Sequence, residues 1–155
     1  MAQFSYIQSP ELGDLTEEVR QIFDELDAAL KTGPRTYSVE YLPPLDVIET
    51  DEDVQVVMDM SGVQASAVRV IFRAGVLLIA GEKARPVLRG PQTFHLIERE
   101  FGRFARGVRL NGAFDVQQSR ALIRDGELTI VLPKLADRRG RPHRIAVMAD
   151  TDTTT

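Results

Sequence analysis

The hydrophobic pattern changes period once along the chain, at Pro43-Pro44. Before that point Leu12, Leu15, Val19, Ile22, Leu26 and Ala29 recur at spacings of three and four, joined by Phe23 and Leu30. That is one face of a helix. Ser9 can cap it and Pro10 fits the first helical position, where a missing N–H is harmless. Glu11, Asp14, Glu17 and Glu18 suit the positive end of the helix dipole, and Gly33-Pro34 ends the run. The spacing predicts one amphipathic helix of about five turns. Alone it cannot bury its apolar stripe, so it must pack on its own domain, on another copy, or on another protein.

From residue 46 the period is two. Val54, Val56, Met58 and Met60 share one face, opposite Asp53, Gln55 and Asp59. Val68, Val70 and Phe72 alternate with Arg69 and Arg73, and Ala74-Gly75 marks a tight turn. Val76–Ala80 is almost continuously apolar. A loop marked by Pro86, Gly90 and Pro91 leads to an alternating run at 94–99, and Gly102 separates that run from Phe104–Leu110. Asp125-Gly126 joins two further runs and reads as a type I′ hairpin, which needs positive φ at both central positions. Seven or eight short strands at regular spacing predict an all-β, immunoglobulin-like β-sandwich. The expected units are an arm at 1–42, a β domain at 43–134 and a polar extension at 135–155 holding one apolar island, Ile145-Ala146-Val147.

Composition narrows the function. The chain has 155 residues and a net charge of −4, which argues against a basic nucleic-acid binder. Residues 1–42 carry eight acids and three bases, and residues 43–155 carry fifteen acids and sixteen bases, so the acidic excess lies in the arm. With no Cys and two well-separated His, there is no metal or thiol chemistry to nominate. No apolar run approaches the ~18 residues of a membrane span. The N-terminus lacks a secretory pattern, so a cytoplasmic location is expected. Nucleotide-binding, serine-hydrolase and zinc-protease motifs are absent, and no pair of carboxylates stands out for glycosidase work. The expectation is no enzyme and no cofactor. Arg138–Arg144 reads as a solvated hinge because no aromatics interleave.

Several stretches together resemble the small heat-shock proteins, whose shared unit is the alpha-crystallin domain. They are Leu45–Glu49 followed by Asp53–Val56, then Asp59-Met60-Ser61-Gly62-Val63, and Leu77-Leu78-Ile79-Ala80-Gly81-Glu82-Lys83. Glu98-Arg99-x-x-Gly102-x-Phe104-x-Arg106-x-x-x-Leu110 resembles the family's central signature. Ala121-x-x-x-Asp125-Gly126-x-Leu128-x-Ile130-x-Leu132-Pro133-Lys134 resembles its last hairpin, and Ile145-Ala146-Val147 its C-terminal I-x-I/V motif. Met60-Ser61, Asn111 and Glu127 depart from the usual residues. Glu127 falls on the face opposite Leu128 and Ile130, away from their packing.

The resemblance implies an ATP-independent holdase that binds unfolding proteins, forms homodimers by strand exchange, builds larger oligomers and passes clients to ATP-driven chaperones. Client contact is assigned to the arm: Phe4, Tyr6, Ile7, Leu12, Leu15, Val19, Ile22, Phe23 and Leu26. The dimer interface is assigned to Phe94, Leu96, Ile97, Glu98, Glu100 and Arg106, with Arg106 pairing Glu98 or Glu100. Ile145 and Val147, two apart and on one side of an extended segment, are assigned as an oligomer tether. They would dock between strands at Val68–Arg73 and Ala121–Arg124 of a neighbouring subunit. The competing reading is a non-chaperone adaptor on a CS-like sandwich with one dedicated partner.

Overall fold

The structure is a computed structural model that describes residues 5–7, 15–30 and 39–135. Its strands are β1 (Ser5–Ile7), β2 (Leu45–Glu49), β3 (Asp53–Asp59), β4 (Val68–Arg73), β5 (Val76–Lys83), β6 (Gly102–Arg109), β7 (Arg120–Arg124) and β8 (Glu127–Pro133), with one helix, α1 (Thr16–Leu30). They form two antiparallel four-stranded sheets, ordered β1-β6-β5-β4 and β2-β3-β8-β7. Between the sheets lies a core of Val54, Val56, Met58, Leu77, Ile79, Phe104, Val108, Leu128, Ile130 and Leu132. The expected sandwich is present.

Local chemistry explains the turns. Asp125 and Gly126 take φ of 51° and 77°, and Ala74 and Gly75 take 49° and 79°. Both pairs have the positive φ of a type I′ hairpin. Gly81 is required for a different reason. A Cβ there would stand 2.7 Å from the Phe104 ring and collide with the Ala67 carbonyl. β5 and β6 can therefore cross the core closely only with glycine at that point.

Two features differ from the sequence reading, and one expected feature lies outside the described residues. The arm contributes a strand as well as a helix: β1 pairs with β6 through Ser5↔Arg109, Tyr6↔Val108 and Ile7↔Gly107. Three residues are too short a run to show a period. The expected helix start at Ser9-Pro10 falls outside the described residues. Finally, the run at 94–99 forms no strand and stays exposed. β5, the strand that leads into this loop, is already paired on both sides, by β4 and β6.

Candidate functional site

β5 and β6 are buried along nearly their whole length, on both faces. One face meets the other sheet. The opposite face carries Val76, Leu78, Ala80 and Ala105, and α1 lies across it with Leu15, Val19, Ile22, Phe23 and Leu26. Both parities of a strand become apolar when both faces are covered. That is the physical meaning of the continuous Val76–Ala80 run, a signal that both faces of this strand are covered.

α1 is also held by charge. Glu18 pairs with Arg73, Glu25 Oε2 lies 3.4 Å from Arg69 Nε, and Asp27 Oδ1 pairs with Arg103 Nη2. The Glu25–Arg69 pair is solvent-exposed and adds ~0–1 kcal/mol. The Asp27–Arg103 pair is different, because Arg103 is fully buried. Its guanidinium lies 4.9 Å from the centre of the Phe23 ring and its Nε is 3.9 Å from Glu82 Oε2. Phe23 and Asp27, four apart on one helix face, thus both meet Arg103. Sequence reasoning missed Arg103, because an arginine alternating with Phe104 along a strand reads as solvent-facing.

The arm covers an edge as well as a face. β1 occupies the β6 edge at 107–109, and Glu40 N donates to Arg103 O at 2.8 Å. Gly102, at φ +114°, lets the chain pass, since a Cβ there would collide with the Glu40 carboxylate. An unpaired strand edge invites aggregation, and here the arm blunts it.

The loop at 84–101 is the largest exposed apolar feature among the described residues. Val87, Leu88, Phe94, Leu96 and Ile97 are all exposed, Leu96 at 74%. Phe94, Leu96, Ile97 and Phe101 border a recess of about 480 Å³. The loop base is gathered on the Phe101 ring, with Lys83, Arg85 and Arg99 at 5.2, 5.1 and 5.0 Å from its centre. β2 is the outermost strand of its sheet. Tyr41 packs edge-on against Phe104 at 5.5 Å, and its phenol is pushed up to about 12 by burial, with the Glu100 carboxylate adding to the shift.

The chain belongs to the Hsp20/alpha crystallin family. A model of that family, described as "Hsp20/alpha crystallin family", matches residues 46–148, which is most of the chain. The 18.3 kDa class I heat shock protein of Oxybasis rubra is 32% identical over 124 residues, covering 76% of this chain and 77% of its own length. The 22.0 kDa heat shock protein of Arabidopsis thaliana is 30% identical over 112 residues, covering 71% of this chain and 57% of its own. A solved small heat-shock protein from Xylella fastidiosa superposes with a TM-score of 0.60 at 30% identity, over 72% of this chain and all of that one. Family members are ATP-independent chaperones rather than enzymes.

On this small heat-shock protein the anticipated residues fall into three groups. Leu15, Val19, Ile22, Phe23 and Leu26 are brought together, but beneath α1 rather than on open surface, so contact with another protein requires the helix to lift. Tyr6 and Ile7 lie on β1. Phe4, Leu12, Ile145 and Val147 lie outside the described residues. Of the interface set, Phe94, Leu96, Ile97, Glu98 and Glu100 are exposed, while Arg106 is buried. Arg106 Nη1 donates to the Pro43 carbonyl, which anchors the start of the β domain to β6. That contact gives Arg106 a role inside one subunit, distinct from the expected pairing with Glu98 or Glu100. β4 and β7, the anticipated docking strands, are each the outermost strand of a sheet. Their inward side chains Val68, Val70, Phe72 and Ile123 are only partly buried against the core.

Proposed function

We propose that this small heat-shock protein is an ATP-independent holdase, working in the cytoplasm, whose client surface is covered at rest. The observation that carries this is the seating of α1. Four apolar side chains of the helix, with Leu15 just before it, lie on four of the sheet. Lifting the helix exposes both stripes at once. Burying the five gives roughly 8–15 kcal/mol. The acidic outer face of α1 would keep a loaded complex soluble.

The test is light scattering of two unrelated heat-unfolding clients, with this protein added up to equimolar ratio and no nucleotide. Suppression of both is expected. Suppression of neither, by a folded protein, would move the reading to the adaptor with a dedicated partner.

Assembly follows the same logic. The apolar run at 94–97 and the outer edge of β2 suit strand exchange between two copies, a form of β-augmentation. Ile145 and Val147 would seat against the half-buried side chains of β4 and β7 on a neighbouring subunit. Two aliphatics give at most ~3–6 kcal/mol before ordering costs, which suits a reversible tether. Replacing both with Gly is expected to shrink the oligomer towards the dimer in sedimentation. An unchanged mass would remove them as a tether. Clients held this way would pass to ATP-driven chaperones.

A further inference from the structure

We propose that Arg103 and Asp27 form the latch that sets how readily α1 leaves the sheet. This rests on the reading that client binding requires helix release. Among the described residues the carboxylates of Asp27 and Glu82 both lie within reach of Arg103, and they sit on different bodies. Glu82 belongs to β5, directly opposite Arg103 in the β5–β6 register. It stays beside the guanidinium whether or not the helix is docked. Asp27 belongs to α1 and meets Arg103 only when the helix is down. Phe23, from the same helix face, closes over the guanidinium at 4.9 Å.

The arrangement defines two states. With α1 seated, Arg103 is fully buried and needs Asp27 and Glu82 to replace its water. With α1 lifted, Arg103 is hydrated and keeps Glu82, so a charged pair stands at the Gly102–Lys83 end of an otherwise apolar face. A buried ion pair is poor net glue compared with well-packed apolar residues of the same size. Removing one partner, however, leaves a buried charge and is strongly unfavourable. The pair therefore makes docking specific in register and breakable, whereas apolar residues in place of Asp27, Arg103 and Glu82 together would weld the helix down. The exposed Glu25–Arg69 pair cannot do this, because water replaces it at little cost.

The experiment uses the full-length protein and reads hydrogen exchange of α1 separately from aggregation suppression. Asp27→Asn is expected to speed exchange of the α1 amides by roughly tenfold or more, with β3 and β8 amides unchanged. It is also expected to suppress client aggregation at a lower ratio of chaperone to client. Glu25→Gln, the control, is expected to change α1 exchange by less than about twofold. The triple variant Asp27→Leu, Glu82→Leu and Arg103→Met, which removes all three charges together, is expected to slow α1 exchange to or below the starting level. Unchanged α1 exchange in Asp27→Asn would overturn the latch. Faster exchange without any gain in suppression would support the latch and overturn the link between helix release and client binding.

Discussion

With α1 cross-linked to β4, aggregation suppression is expected to fall to the level of client alone. The chain contains no cysteine, so Glu25→Cys with Arg69→Cys introduces the sole two thiols. The native side chains meet at 3.4 Å, which a short cleavable bis-maleimide can bridge. The substitutions remove the Glu25–Arg69 ion pair, worth ~0–1 kcal/mol, and the Arg69 hydrogen bonds to the Ser66 and Val68 carbonyls, so the uncross-linked variant is the baseline for the comparison. Cross-linking converts a reversible docking into a permanent one and keeps Leu15, Val19, Ile22, Phe23 and Leu26 under cover. Cleaving the linker should restore suppression in the same sample. Full activity while cross-linked would mean that clients bind elsewhere. The tether is a sharper test than removing residues 1–33, because that deletion would strip the cover from Val76, Leu78, Ala80 and Ala105 and make the sheet itself sticky.

The second large effect is expected from Leu96→Pro. Residues 84–101 make no strand within their own chain, so the substitution removes no ladder hydrogen bond from the monomer. Leu96 is exposed, and surface changes of this kind usually stay within about 0.5 kcal/mol. In each of two exchanged strands the same proline removes a ladder donor and leaves its acceptor unpaired, at a cost of about 1–3 kcal/mol. Dimer affinity should therefore weaken by roughly 100-fold, read by sedimentation equilibrium, with the melting temperature of the dilute monomer unchanged. An unchanged dimer would place the interface outside this loop. A collapsed monomer would mean that the loop supports the fold directly.

Particular residues show how far local spacing reaches. The Asp125-Gly126 hairpin, the alternation from Val54 to Met58 and the stripe from Leu15 to Leu26 were all legible, because each depends on neighbours a few positions apart. Glu127 was placed correctly on the outer face of β8 for the same reason. The run at 94–99 has a strand's alternation, yet a strand also needs an edge to pair with, and its own sheet offers none beside β5. Arg103 was opaque for a related reason. Its parity on β6 separates it from Phe104, but parity does not say whether water or a helix lies on the other side. The clue was on the next strand, where Val76–Ala80 is apolar on both faces.

By itself, then, the amino-acid sequence determined the types of element, their order, the two main turns and the need to cover an apolar helix. The family's motifs were readable from the same information. Tertiary structure decided where the helix goes, which acid reaches Arg103 across 76 positions of chain, and that Phe94, Leu96 and Ile97 are left exposed. Periodicity records which side of an element is apolar. Only packing decides what that side meets, since the two partners of a long-range contact carry no shared spacing.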